Sequence, residues 1–286
     1  MEEKGLKCIS FNKFVPILSI AMNHRDHRKI IVIDGNTAFT GGINMADEYI
    51  NEKIRFGHWK DTGIMIKGEA VWNFTVMFLQ MWNGERKTDT NYHIYKPKNH
   101  QFEEILEDGY IQPYGDSPLD HETVGENVYL NIINNANDYI YLFTPYLIID
   151  NEMMTSLCLA AKKGVDVRIV TPGIPDKKYA FMLTQSYYDQ LLEAGVKIYE
   201  YTPGFLHGKC FVCDDEIATV GTINMDYRSL FLHFECSVLL YQSSVITAIK
   251  EDILETIKIS KEIKDFKVKL PKRLMQAVLR LFAPLM

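Results

Sequence analysis

One polar pattern occurs twice in this chain at a constant offset. The segment HRKIIVID begins at His27, and the segment HGKCFVCD begins at His207. In each copy a lysine and an aspartate follow the histidine, and a glycine and an asparagine come later in the same register. The paired positions are His27/His207, Lys29/Lys209, Asp34/Asp214, Gly41/Gly221 and Asn44/Asn224. Because the spacing is kept without a gap, we predict two related halves that build one site together.

Strand and helix patterns alternate through the second half. The apolar segment YIYLFTPYLII is followed by a helical pattern that ends at Gly164, and then by the strand pattern VDVRIVTP, a helix and the strand pattern VKIYEYTP. Such alternation is typical of βαβ units. We therefore predict an α/β fold of two pseudo-twofold-related halves, each with a mostly parallel sheet flanked by helices.

The two halves are unequal in length. Several strands and helices precede the motif of the second half, whereas LKCIS is the one strand candidate before the first motif. We predict an incomplete first half over 1–115, a complete second half over 116–245 and a basic helical tail over 246–286. A truncated sheet exposes an edge that invites pairing, so we expect a missing N-terminal segment or another chain to complete the first half. The alternative is a shorter half that folds by itself.

The side chains of the repeated motif suit a phosphodiester. Residues two apart in a strand point to the same side, so the histidine and the lysine of each copy share a face. Lysine supplies positive charge to phosphate oxygens, and asparagine donates hydrogen bonds that strengthen as charge develops there. One histidine can attack phosphorus while the other protonates the leaving oxygen. Neither a metal nor a cofactor is needed for this chemistry, and the predicted phosphate-binding residues are Lys29, Lys209, Asn44 and Asn224.

The two aspartates of the motifs occupy a different place. Asp34 and Asp214 follow their histidines at an odd spacing, at the turn between two strand patterns. We therefore predict that they support the turns through local hydrogen bonds or a buried ion pair.

Two further carboxylates are candidates for orienting the histidines. Asp61 comes after His27, and Glu235 comes after His207, each in a later strand pattern of the same half. Both patterns are otherwise apolar, so an unpaired charge there is costly, and a catalytic histidine needs an acceptor that fixes its tautomer. We predict that Asp61 orients His27 and that Glu235 orients His207. The alternative is that either one is a surface carboxylate.

Charge divides the chain into two parts. The net charge of −6 gives no support to a general nucleic-acid binder. From Ser260 onward the tail has seven basic and two acidic residues, which gives about +5 for the tail and −11 for the rest. After Pro271 the spacing predicts a basic amphipathic helix on an anionic membrane; the alternative is packing on the protein's own core. Its predicted apolar side consists of Leu274, Met275, Val278, Leu279, Leu281 and Phe282, apart from Arg273 and Arg280.

The five cysteines have irregular spacing and are predicted to be free thiols. Cys210 and Cys213, with His207 and His233, raise the alternative of a zinc site. Residues three apart in a strand face opposite sides, so we predict no metal there. No apolar run is long enough to span a bilayer, which predicts a soluble or peripheral chain.

The two repeated segments resemble the paired HKD motifs of the phospholipase D superfamily. The flanking segments resemble bacterial cardiolipin synthases over nearly the whole chain; they are MNHRDHRK, GGINMADEY, WKDTGIMIKGEAV, FTPYLI, GVDVRIVTPGIPD and GTINMDYRS. The resemblance implies that the catalytic residues are His27, Lys29, Asp34, His207, Lys209 and Asp214. Family members usually begin with transmembrane helices and a complete first half, which this sequence lacks, and His233 stands where many relatives have asparagine.

The resemblance also implies an activity. It is the transfer of a phosphatidyl group between two phosphatidylglycerol molecules, which gives cardiolipin and glycerol through a phosphohistidine intermediate. The implied partners are phosphatidylglycerol and anionic lipids of the cytoplasmic membrane, where this form would be peripheral and the full-length protein anchored. No nucleic-acid partner is expected. Two alternatives stay open: a phosphodiesterase of the same superfamily that hydrolyses lipid or nucleic acid, and an inactive fragment.

Overall fold

In the computed structural model, the described residues are 2–12, 24–96 and 108–285. The strands are β1 (Ile31–Ile33), β2 (Thr37–Gly41), β3 (His58–Lys60), β4 (Gly63–Lys67), β5 (Tyr110–Asp116), β6 (Tyr139–Phe143), β7 (Leu147–Ile148), β8 (Asp166–Pro172), β9 (Lys197–Tyr201), β10 (Gly204–Leu206), β11 (Cys210–Cys213), β12 (Ile217–Gly221), β13 (Met225–Asp226), β14 (Glu235–Tyr241) and β15 (Ser260–Ile263). The helices are α1 (Val71–Arg86), α2 (Val124–Asn135), α3 (Asn151–Lys163), α4 (Lys178–Gln185), α5 (Tyr188–Ala194), α6 (Val245–Lys258) and α7 (Leu270–Leu281).

A sheet of eight strands forms the centre of the protein, in the order β15-β9-β8-β6-β11-β12-β14-β5. One face packs on α2, α3, α4 and α5, and the other packs on α6 and on the first half. The α/β class is confirmed. The predicted parallel pairing occurs in β9-β8-β6, whose strands are joined through helices. The other five pairings of the sheet are antiparallel, so the expectation of a mostly parallel sheet is wrong beyond those three strands. Tight turns such as the one between β11 and β12 can only join antiparallel neighbours.

The first half has a smaller antiparallel sheet with the order β1-β2-β4. Ala38 and Ile66 lie on its buried face, which packs against β12. The opposite face is apolar and exposed; its side chains are Ile31, Ile33, Phe39 and Met65. The segment LKCIS, predicted to be a strand, has no strand structure. The described first half therefore contributes fewer strands than the second half, as predicted.

Two predicted boundaries differ from the structure. β5 pairs with β14, so the boundary between residues 115 and 116 falls inside a strand of the large sheet. In the predicted helical tail, β15 pairs with β9 at the edge of that sheet. The chain therefore returns to the large sheet both before and after the predicted second half.

The backbones of the two halves cross beside each motif. β3 pairs in parallel with β10, and the backbone N–H of His207 donates to the carbonyl oxygen of Lys60 at 2.6 Å. In the matching place of the other half, the N–H of His27 donates to the carbonyl oxygen of Phe234 at 3.0 Å. Each motif histidine is therefore placed next to a strand end of the opposite half.

Helix α7 contacts the body of the protein through its polar side. The Gln276 amide donates to the carbonyl oxygen of Met182 at 3.1 Å, and Arg280 donates to the hydroxyl and the carbonyl oxygen of Ser186. The apolar side chains are exposed by about half or more, except Leu279, which packs against the core. The exposed set is Leu270, Leu274, Met275, Val278, Leu281 and Phe282. Within the described ranges, no helix combines the length and the apolar character that a bilayer span requires.

Candidate active site

Each motif histidine is hydrogen-bonded to a carboxylate of the other half. Nδ1 of His27 lies 2.9 Å from Oε1 and 3.0 Å from Oε2 of Glu235. Nδ1 of His207 lies 2.8 Å from Oδ2 of Asp61. Both predicted orienting carboxylates are in the site, but the predicted partners are exchanged. The reason is the crossing of the backbones: Glu235 follows Phe234, and Asp61 follows Lys60, so each carboxylate comes directly after the residue that accepts from a histidine N–H.

The side chains of both carboxylates are buried, with 0% of Glu235 and 4% of Asp61 exposed, and both are charged. Burial alone would raise the pKa of Glu235. The charge of His27 opposes this effect, as do polar contacts with His233, His27 and Thr222, and together they lower the pKa of Glu235 to about 2. Burial also opposes ionisation of Asp61, yet the hydrogen bond from His207 and the charge of Lys209 keep its pKa below the usual value. A charged acceptor at Nδ1 holds the proton there and leaves the Nε2 lone pair free.

The two lysines have matching positions. Nζ of Lys29 donates to the carbonyl oxygen of His27 at 2.6 Å, and Nζ of Lys209 donates to that of His207 at 2.5 Å. Burial lowers the pKa of both ammonium groups, that of Lys209 to about 7, while Asp61 and Glu235 oppose the shift. Because the charge of Lys29 also acts on His207 and Lys209 of the other half, the two lysines form one positive centre.

The two histidines differ in exposure. The side chain of His207 is 9% exposed and that of His27 is 25% exposed. The ring of His207 lies against Trp59, Phe205 and Tyr49, with centroids 5.0 to 5.8 Å away. Burial and the charge of Lys209 lower the pKa of His207 to about 3. His207 is therefore a neutral imidazole throughout the physiological range of pH.

The motif aspartates and asparagines lie around the histidine pairs. Asp214 accepts from the backbone N–H groups of residues 137 to 139, at 2.7 to 3.0 Å, and so connects the β11–β12 turn to the start of β6. Asp34 is exposed in the equivalent turn. The Asn44 amide donates to the Tyr49 hydroxyl. The Asn224 amide donates to Asp226, and its buried Oδ1 has no partner among the described residues. Their binding of phosphate stays a prediction.

Sequence reasoning did not predict that three further residues lie against the carboxylates. The hydroxyl of Thr222 donates to Glu235, and the indole N–H of Trp59 donates to Asp61 at 3.2 Å. A side chain at Gly42 would meet Oδ1 of Asp61 and the carbonyl oxygen of His207, since a Cβ there would lie 2.1 and 2.9 Å away. Gly42 and Thr222 each come directly after the paired glycine of their motif, Gly41 or Gly221. The register of the repeat could therefore have identified Gly42 and Thr222 as residues of the site.

Two of the cysteines, Cys210 and Cys213, raised the alternative of a zinc site. Cys210 and Cys213 are buried in β11, and burial raises the pKa of the Cys213 thiol to about 12. Burial raises the pKa of the Cys210 thiol as well. Protonated thiols are poor zinc ligands because the thiolate is the form that binds metal.

Comparison with known proteins agrees with this site. A family described as "Cardiolipin synthase, PLD-like domain" matches residues 129–257. The fold resembles the crystal structure of phosphatidylserine synthase from Haemophilus influenzae, with a TM-score of 0.66 and 14% identity over 91% of this chain and 69% of that chain. Residues 129–257 thus match a phospholipase D-like domain, and the paired motifs resemble those of the phospholipase D superfamily.

Within that superfamily, the chain is similar over its whole length to cardiolipin synthases. It is 37% identical over 291 residues to a cardiolipin synthase of Alkalihalophilus pseudofirmus, covering 100% of this chain and 57% of the relative. It is 53% identical over 289 residues to a Streptococcus mutans protein with no function in its name, covering 100% of this chain and 62% of the relative. The chain thus spans between 57% and 62% of the length of these relatives.

Proposed function

We propose that this chain carries the catalytic centre of a phosphatidyl transferase that makes cardiolipin from two phosphatidylglycerol molecules. The observation that carries the proposal is the pair of crossed histidine–carboxylate contacts, His27 with Glu235 and His207 with Asp61. Each contact leaves one Nε2 free for chemistry, and Lys29 and Lys209 place positive charge beside His27 and His207. The similarity to cardiolipin synthases over the whole chain supports the choice of lipid substrate.

The reaction proceeds in two displacements at phosphorus. In the first, Nε2 of one histidine forms a bond to phosphorus and the bond to the glycerol oxygen breaks. The other histidine enters this step as an imidazolium and gives the glycerol oxygen the proton of its Nε2, which leaves it neutral for the second step. In the second, the hydroxyl of another phosphatidylglycerol attacks phosphorus. Its proton passes to the second histidine and the N–P bond breaks. The lysine charges stabilise the oxygens of phosphorus in both steps, so the chemistry is complete without a metal.

Helix α7 supports an association with anionic membrane lipids. Its apolar side chains point away from the protein, and hydrogen bonds of Lys272, Gln276 and Arg280 fix its polar side to α4 and the residue after it. Exposed basic residues lie close to the apolar residues in the sequence, among them Lys264 and Lys267, which pair with Glu262 and Asp265, and Arg273. An exposed apolar stripe with basic neighbours is the pattern of a helix that lies in the interface of an anionic bilayer. The chain in this form is a peripheral protein of the cytoplasmic membrane.

The exposed apolar face of the small sheet supports a further part of the proposal. Ile31, Ile33, Phe39 and Met65 are 37% to 58% exposed on one face of β1, β2 and β4. A contiguous apolar surface of this kind marks an interaction site. Another segment of the protein or another chain covers this face in the active enzyme.

The products decide between transfer and hydrolysis. The chain, in vesicles of phosphatidylglycerol, is expected to release glycerol and cardiolipin in equal amounts. Phosphatidic acid without cardiolipin would contradict the transferase and identify a hydrolase. Cleavage of single-stranded DNA without action on lipid would identify a nuclease of the same superfamily. The absence of any product would contradict activity of this chain alone.

A further inference from the structure

A second imidazole lies beside the carboxylate of Glu235. Nδ1 of His233 is 3.8 Å from Oε1 of Glu235, and this nitrogen is buried without a hydrogen-bond partner among the described residues. The ring of His233 lies 5.8 Å from that of His27, centroid to centroid. A single turn of π-helix, Arg228–Leu232, ends directly before His233 and places it there; such turns occur frequently at functional sites.

The three side chains have the donor types and spacing of a zinc site. One donor atom each of His27, His233 and Glu235 lies within 4.8 Å of the others. In tetrahedral zinc sites the ligands are about 2.0–2.2 Å from the metal, and so about 3.4 Å from each other. The separations of 2.9 Å from His27 and 3.8 Å from His233 to Glu235 lie on either side of that value. Small rotations of the two imidazoles therefore bring all three donors onto one ion, with a fourth position left for water.

We propose that His27, His233 and Glu235 bind a zinc ion that holds the site inactive. Zinc at Nδ1 of His27 occupies the lone pair of that nitrogen, so the ring proton must sit on Nε2. A protonated Nε2 can neither attack phosphorus nor accept a proton. The ion also takes the carboxylate of Glu235 away from its role of holding the tautomer. Binding of the ion is independent of the proposed transferase activity, whereas the inhibition rests on it.

The test measures zinc binding first and activity second. The chain, freed of metal by a chelator, is titrated with zinc by calorimetry and with cobalt(II), whose visible absorption reports tetrahedral coordination. We compare His233→Ala and His233→Asn with His121→Ala, which removes an exposed histidine elsewhere. We expect one zinc per chain, at least about tenfold weaker binding in both His233 variants, and unchanged binding in the His121 variant. The His233→Asn variant keeps a polar side chain beside Glu235, so its loss of zinc binding separates a metal ligand from a positioning residue.

Inhibition by zinc is then measured for each variant as the rate of cardiolipin synthesis with zinc relative to the rate of the same variant without metal. The chelator alone is expected to leave the wild-type rate unchanged or higher, and added zinc is expected to inhibit the wild type at lower concentration than it inhibits His233→Asn. Wild-type zinc affinity in the His233 variants would overturn the proposal, as would a lack of stoichiometric binding. A chain that binds zinc through His233 but makes no cardiolipin would leave the site standing and contradict the transferase instead.

Discussion

Nδ1 of His27 lies 2.9 Å from Oε1 of Glu235, although the two residues are 208 positions apart in the chain. The matching pair, His207 and Asp61, is 146 positions apart. Each half therefore holds the histidine of the other, and neither half contains a complete histidine–carboxylate pair. The site depends on the packing of the two halves on one another.

The crossed pairing predicts a specific pattern of coupling energies. In a double-mutant cycle for the free energy of unfolding, His27→Ala and Glu235→Gln should be coupled by about 1 kcal/mol or more, because they remove the two ends of one buried ionic hydrogen bond. His207→Ala and Glu235→Gln should be additive within about 0.5 kcal/mol. Chemical denaturation of the single and double variants provides both values. The reverse pattern would restore the pairing within each half that the sequence suggested.

The motif aspartates should differ in their effect on stability. Asp214→Ala removes an acceptor of three backbone N–H groups and should destabilise the protein by about 1–3 kcal/mol. Asp34→Ala is the matched control, because both backbones have a positive φ, 51° and 52°, and the Asp34 side chain is exposed. The loss of stability in Asp34→Ala should be well below that in Asp214→Ala in the same thermal unfolding assay. Equal costs, or a loss of turnover in Asp34→Ala with stability intact, would point to a direct catalytic role.

Much of this site is predictable from sequence, and the part that is not has a physical reason. The offset repeat identifies His27 and His207 with their lysines, because both copies keep one register, although each pair lies just before a strand, β1 or β11, and not within it. It cannot identify the partner of a histidine, because that depends on which strands of the two halves run side by side. Linear order favoured Asp61 for His27, and the tertiary contact of Phe234 with His27 decided otherwise.

The tail shows the same limit. Spacing predicts the amphipathic character of α7, yet spacing does not say which side faces the protein. Hydrogen bonds of Gln276 and Arg280 to α4 and the residue after it turn the polar side inward.

The outward apolar side of α7 should determine membrane binding. The pair Leu274→Gln and Val278→Gln should reduce binding to phosphatidylglycerol vesicles by roughly tenfold or more, because about 1 to 2 kcal/mol of apolar burial is lost per side chain. The control pair is Leu119→Gln and Leu159→Gln, at positions that are 71% and 59% exposed elsewhere on the protein. Cosedimentation measures both, and circular dichroism checks that α7 still forms. Equal binding of the two double variants would exclude α7 as the membrane contact.

The pKa of Lys209 predicts the alkaline limit of activity. This pKa is lowered by burial to about 7, so the ammonium charge is present below that pH and lost above it. The kcat/KM value, which reports the free enzyme, should therefore fall as pH rises beyond about 7. The limit of kcat should lie at higher pH, since a bound phosphate favours the charged lysine. A kcat/KM that stays level to about pH 9 would contradict a lowered pKa.

The direct measurement of the central claim is the fate of phosphorus in variants of the two histidines. The protein is incubated with phosphatidylglycerol labelled at phosphorus. Label bound to a histidine is then recognised by its loss in acid and its stability in alkali, because a phosphoramidate is acid-labile. The account predicts an acid-labile phosphatidyl-histidine in the wild type, mapped by mass spectrometry to His27 or His207, and loss of cardiolipin synthesis in both His27→Ala and His207→Ala. Substantial cardiolipin synthesis by either variant, or a wild type that turns over without any acid-labile intermediate, would contradict it.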